Sequence, residues 1–311
     1  MSGASPHHAS DDDQRPVATI SVDLDGAATH LQGYGQEHSS ADGLLATAIP
    51  RLLQLLDETG IRATAFVVAG DQPPATLLRS LAERHEIAAH SVTHPMPFAQ
   101  LSAPELAREV GGAREILEDR VGLPVVGFRA PNWDTGPAVW QALAEARYGY
   151  DASLLPTPWQ IAIRAVLAVG ARSFRPLTAM RPIPAGWNRV PHLLATDAGS
   201  IWQFPVPTSR TIRFPVYHTV RFRLSQTRFD RIVAELSRRG EPFGYAFHAI
   251  DLIAMSDRGI PSALRRHPGM DMDLDAKLAL LRSSIRTVAE HFRSVPYVER
   301  LPESRRHAAD G

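Results

Sequence analysis

Between Val17 and Asp151 short apolar runs alternate with longer amphipathic ones, and that alternation leaves few folds open to the chain. Val17–Val22, Ala63–Val68, Ile87–Ala89 and Val125–Phe128 read as strands. Each is almost continuously apolar, as strands covered on both faces are. The stretches between them read as helices. One runs from Leu44 to about Thr59, with Leu44, Leu45, Ile49, Leu52, Leu53 and Leu56 on one side, and stops at Gly60. Pro50 lies inside it or marks the first position of a shorter helix. Others run from Pro73-Pro74 to about His85, from a Ser102–Glu105 capping box to about Val121, and from a Thr135 cap to about Arg147. Residues 27–43 read as a loop. Strand and helix in turn imply right-handed βαβ units and a parallel sheet or barrel.

Beyond Asp151 the pattern weakens. Residues 154–242 are rich in proline and read as an irregular insertion, with a strand at Ser200–Pro205 and a helix from a Ser225 cap to Arg239. Regularity returns with a strand at Phe243–Phe247, a helix at Asp273–Phe292 and a closing strand at Tyr297–Leu301. The expected layout is a disordered tail over 1–16, one catalytic domain over 17–303 and a second tail over 304–311. A formal net charge of zero argues against a nucleic-acid partner. The absence of cysteine excludes thiolate nucleophiles, disulfides and cysteine–zinc sites. No leader-like segment and no run near the ~18 apolar residues of a membrane span is visible, so a cytoplasmic protein is expected.

Polar residues then gather at strand ends. Asp23 and Asp25 close the first strand, His90 and His94 follow the third, Arg129 the fourth and His248 a late one. Thirteen histidines in 311 residues give about half an H-x-x-x-H pair by chance, so His90 and His94 mean little alone. Singly, Asp25-Gly26 could be a turn, Arg129 an ion pair and His248 a core histidine. In a parallel α/β barrel, however, the carboxyl ends of the strands share one face, where active sites form. Two histidines and an aspartate around a metal, with a position left for water, make a hydrolytic set.

The ordered set Asp23-Leu24-Asp25, His90-Ser-Val-Thr-His94-Pro, Arg129-Ala-Pro131-Asn132-Trp133, Asp151-Ala-Ser153 and Phe247-His248 resembles the polysaccharide deacetylases, carbohydrate esterase family 4 or NodB-homology enzymes, from about Val17 to Leu301. The resemblance implies a distorted (β/α)7 barrel and one divalent metal, zinc above all. It implies Asp25, His90 and His94 as ligands, Asp23 as general base positioned by Arg129, and His248 as general acid. Pro131, Asn132 and Trp133 would line the pocket, and either Asp151 or Asp251 could orient His248. The split Asp23-Leu24-Asp25, with Gly33-Tyr34-Gly35, is similar to an intracellular-type subgroup that includes allantoinase-like proteins and deformylases of lipid-linked aminoarabinose. The chain departs from the family where Asp151-Ala-Ser153 lacks a tryptophan and Ala246-Phe247-His248 replaces Leu-x-His.

The activity implied is removal of an acetyl or formyl group from an amino sugar that is free, nucleotide-linked or lipid-linked. Opening of a cyclic amide and a non-catalytic carbohydrate-binding module are the alternatives. Arg210, Arg213, Arg221 and Arg223 form either a phosphate contact or a solvated face. Trp159–Val169 is either a core helix or a peripheral membrane contact.

Overall fold

The computed structural model of the protein describes residues 15–33, 43–159 and 188–306. Tyr34-Gly35, residues 160–169 and the N-terminal His7 and His8 lie outside them. The strands are β1 Val17–Leu24, β2 Thr64–Val67, β3 Glu86–Ala89, β4 Gly127–Phe128, β5 Tyr150–Asp151, β6 His192–Thr196, β7 Gly199–Gln203, β8 Phe243–His248 and β9 Arg293–Ser294. Seven run parallel in the spatial order β8-β1-β2-β3-β4-β5-β7. β6 is antiparallel on β7, and β9 pairs with the start of β1. The sheet curls with helices outside it, a mixed α/β half-barrel of the distorted (β/α)n kind.

β1 is the axis of this arrangement. Ala18, Ile20, Val22 and Leu24 join the main apolar core. The alternate residues Thr19, Ser21 and Asp23 are also buried but polar, and with a strand period of two they share the opposite face. Across that face stand Phe66, Tyr150, Phe204 and Tyr297, a second apolar cluster. Arg300 Nη1 reaches Thr19 Oγ1 at 3.3 Å and Arg129 Nη2 reaches Ser21 Oγ at 3.0 Å. The pairing then sets Asp23 opposite Phe66 on β2 and opposite His248 on β8.

Most expected helices form as the local signals require. Gly43–Thr59 is continuous through Pro50, and Ser102 N–H donates to Glu105 Oε2 at 2.8 Å in the capping box that opens Ala103–Val121. Three expectations need correction. Residues 27–33 are helical, not loop: Gly26 N–H and Thr29 Oγ1 donate to Asp71 Oδ2 at 2.6 and 2.9 Å, so a carboxylate distant in sequence caps the first turn. Gly136, not Thr135, precedes the helix Pro137–Glu145, and the Thr135 hydroxyl lies 3.5 Å from Asp151. The closing strand is a 3-10 turn, Tyr297–Arg300, whose first N–H groups donate to Thr64 Oγ1 and Glu86 Oε2 side chains rather than to a neighbouring strand. In the described part of 154–242 stand the β6–β7 hairpin and helices His218–Arg221 and Gln226–Arg238, with irregular backbone between them; Ser225 precedes the last but makes no side-chain cap. Just beyond the expected boundary at 303, Arg305 and Arg306 bond to Ser200, Leu301 and Glu299.

Candidate metal and acid–base centre

The carboxyl ends of β1, β3, β4 and β8 meet at one place. Asp23, Asp25, His90, His94 and Arg129 are all buried there, at 1–7% exposure, while His248 is half-buried. The turn carrying the two histidines is built to hold one shape. Ser91 and His94 both adopt left-handed backbone, φ 68° and 53°, an uncommon state for residues with a Cβ. Ser91 Oγ accepts from His94 N–H at 3.0 Å. Glu109, on the helix Ala103–Val121, accepts from the N–H groups of Val92 and Thr93 at 2.9 Å each. Gly70 N–H donates to Val92 C=O at 2.8 Å, and a Cβ at position 70 would lie 2.5 Å from that oxygen. Only glycine lets the turn approach so closely.

His90 is further constrained. Its Nδ1 lies 2.6 Å from the Arg129 carbonyl oxygen, which can only accept, so Nδ1 carries the proton. The Nε2 lone pair is thereby turned toward Asp25 Oδ1, 3.5 Å away. Burial lowers the His90 imidazole to about 4 and holds His94 well below its ordinary value, so both are neutral at pH 7. Asp25 Oδ1 and His94 Nδ1 are buried without a hydrogen-bond partner among the described residues. Burial, joined by repulsion from Asp23 and Asp71, pushes the Asp25 carboxyl well up. Asp25, His90 and His94 bring three ligand atoms within 4.8 Å of one another. Two neutral imidazoles, a carboxylate and orphaned buried atoms fit a divalent cation, whose charge would relieve the Asp25 burden.

Beside this trio, Asp23 is fixed. Arg129 Nη1 meets Asp23 Oδ1 at 2.5 Å, its Nε donates to Ala152 C=O at 3.3 Å, and its guanidinium lies 4.0 Å over the Phe66 ring. Burial opposes the Asp23 charge, but the Arg129 guanidinium, by its charge and its hydrogen bond, holds the carboxyl below the usual range. His248 Nε2 is 3.7 Å from Asp23 Oδ2, so one carboxylate faces an arginine on one side and an imidazole on the other.

The two aspartates that could orient His248 are placed differently. Asp251 Oδ2 accepts from His248 N–H at 2.9 Å and lies 3.9 Å from its Nδ1. Asp151 is engaged elsewhere, accepting from Ser153 N–H at 3.0 Å and Trp140 Nε1 at 3.2 Å, and burial raises its carboxyl to about 6. Its partner Ser153 accepts from Ala130 N–H at 2.7 Å, which braces the turn Pro131–Trp133. In that turn Pro131 is buried, Asn132 exposed, and the Trp133 ring stands 6.3 Å from His248 and 4.8 Å from Tyr217. Sequence reasoning passes over Asp71, although it too follows a strand end, that of β2. It also passes over His30 and His267, whose rings lie 5.1 Å apart with His30 6.5 Å from His248; no spacing signal links them.

Residues 40–151 match the sequence model of the family described as polysaccharide deacetylase. That segment holds His90, His94, Arg129 and Asp151 but neither Asp23 nor His248. Solved structures share the fold, among them two candidate polysaccharide deacetylases and an allantoinase. A candidate polysaccharide deacetylase of Mycobacterium smegmatis is 20% identical, with 94% of this chain and 90% of that one covered and a TM-score of 0.57. A second, from Pseudomonas aeruginosa PAO1, is 16% identical over 94% and 90%, with a TM-score of 0.56. The Puue allantoinase is 16% identical over 98% and 93%, with a TM-score of 0.58. The family match thus spans the histidine and arginine motifs within residues 40–151, and the fold of the chain is the one these solved structures share.

Proposed function

We propose that the chain is a metal-dependent amide hydrolase that removes an acetyl or formyl group from an amino sugar, with zinc held by Asp25, His90 and His94. The observation that carries this reading is the His90 tautomer. A carbonyl acceptor on Nδ1 leaves Nε2 with a lone pair, in a buried site beside a carboxylate oxygen that has no hydrogen-bond partner among the described residues. A structural histidine would be expected to satisfy both nitrogens. When bound, a divalent cation supplies Lewis acidity, polarising an acyl carbonyl and lowering the pKa of water.

The other groups move protons. Asp23, ionised and held at Oδ1 by Arg129, takes at Oδ2 the proton of the water that adds to the acyl carbon. His248 Nε2, 3.7 Å from that oxygen, protonates the amide nitrogen as the C–N bond breaks. The products are a carboxylate and a free amine, and Trp133 and Tyr217 form an aromatic wall beside His248.

The test is purified protein assayed with N-acetylated and N-formylated amino sugars and with a cyclic ureide, alongside metal content in wild type and His94→Ala. Turnover of an acyl amino sugar with loss of metal in the variant is expected. Ureide turnover alone would move the chemistry to ring opening, and equal metal in both proteins would remove His94 from the ligand set.

A further inference from the structure

Between Asp151 and Asp230 the chain carries ten arginines and one acidic residue, Asp197. A segment with nine net positive charges thus sits in a chain whose formal total is zero. The same segment contributes four of the six exposed large apolar side chains among the described residues: Trp159 at 40%, Val190 at 45%, Leu193 at 51% and Ile212 at 55%.

Some of these residues form one feature. Ser209 N–H donates to Phe214 C=O at 2.7 Å, and Thr208 bridges Pro215, which makes 208–215 a tight hairpin after β7. Ile212 and Arg210 are exposed on it, with Arg213 beside them. Trp159, beyond the end of β5, donates its indole N–H to Ile212 C=O at 2.7 Å, and Thr157 donates to Arg213 C=O at 2.6 Å. Arg189 donates to Thr208 C=O at 2.8 Å, which brings Val190 to the base of the hairpin. Arg221, by contrast, is buried against Ser284 and belongs to the interior. The tip follows the carboxyl ends of β5 and β7, so it stands on the rim of the face that holds Asp23, His90 and His248.

We infer that this tip, Trp159 and Ile212 flanked by Arg210 and Arg213, docks the protein onto an anionic lipid surface. An amphipathic indole held by its N–H, an exposed isoleucine and arginines without partners among the described residues match the two layers of such a surface, apolar below and phosphate above. A nucleic acid would use the arginines but not the exposed isoleucine. A docked protein would present its site to a headgroup-linked substrate without any segment crossing the bilayer; no described helix is long and apolar enough to do so.

The test does not depend on the hydrolase reading, because it measures binding. Co-sedimentation of the full chain with phosphatidylglycerol-rich vesicles and with pure phosphatidylcholine vesicles is compared at low and high salt. Binding to the anionic vesicles alone, weakened by salt, is expected, with a blue shift of tryptophan emission that Trp159→Phe removes. Arg210→Glu/Arg213→Glu and, separately, Ile212→Ser should each lower partitioning, the first by at least about tenfold. Both lie on an exposed tip, so thermal melting like that of wild type is the control for folding. Absence of vesicle binding, equal binding to both lipids, binding to heparin alone, or unchanged partitioning in both variants would overturn the inference.

Discussion

Arg129 Nη1 and Asp23 Oδ1 meet at 2.5 Å across 106 positions of sequence, both side chains out of reach of water. A pair so placed stabilises little compared with an apolar pair of the same shape, because both charges are desolvated. Losing one partner is another matter. Arg129→Met strands the Asp23 carboxylate, and a loss on the order of 3–5 kcal/mol in urea unfolding is expected. Arg129→Lys keeps the charge but cannot reach Asp23, Ser21 and Ala152 at once. Its stability should fall less, while kcat/KM falls by about 10²-fold through misplacement of Asp23. Equal stability of the Met variant and wild type would mean that the pair is not buried in solution.

His248 is expected to act on the leaving nitrogen, so its removal should discriminate between substrates. His248→Ala should retain metal and lose on the order of 10²–10⁴ in turnover of an unactivated amide. With an acyl substrate whose leaving group needs no proton, most of that loss should vanish. A uniform loss on both substrates would make His248 a wall of the pocket instead.

Stability should fall in mild acid for a nameable reason. His218 is buried with Nδ1 2.7 Å from the Tyr245 hydroxyl, and burial lowers its imidazole to about 4. The unfolded chain takes up this proton near pH 6.5 and the folded chain only near 4, so stability drops as pH falls through that window. For one such group the drop between pH 7 and 5 is about 2 kcal/mol. His90 and His267, also lowered to about 4 by burial, add to it. His218→Gln should therefore show a shallower fall in urea stability over that range than wild type. Parallel slopes for the two proteins would show that His218 does not titrate this way.

Legibility differed from residue to residue for physical reasons. The strands β1, β2 and β3 could be read because burial makes them short runs rich in apolar and β-branched residues, and the Ser102–Glu105 box because capping is local. The conjunction of Asp23, His90, Arg129 and His248 followed from one topological rule, that parallel strands end on one face. What escaped depends on contacts between distant side chains. Asp71 caps the turn at Gly26 from 45 residues away, so a helix at 27–33 had no local signal. Glu86 and Thr64 satisfy the backbone of 297–298, so an apolar run that reads as a strand coils into a turn. Arg221 looked like its neighbours Arg210 and Arg223, but hydrogen bonds to Ser284 Oγ and Leu224 C=O draw it inside.

The split pair on β1 offers the sharpest test of the assignments. Asp23 and Asp25 are two residues apart and both buried, yet their environments differ in kind. Asp23 faces Arg129 and His248, while Asp25 Oδ1 faces His90 Nε2 and, among the described residues, has no hydrogen-bond donor. Asp25→Asn replaces an anionic ligand by a neutral one, so zinc affinity should fall and added metal should restore part of the activity. Asp23→Asn should bind zinc nearly as wild type does but stay inactive at every metal concentration, because an amide cannot accept the water's proton. It should also lose stability, since Arg129 is then a buried cation without its anion. Zinc titrations followed by calorimetry and by activity separate the cases. Small and similar losses in the two variants would mean that both carboxylates merely shape the loop. Metal control by Asp23 would exchange the two roles, against a geometry in which Arg129 already occupies one oxygen of that carboxylate.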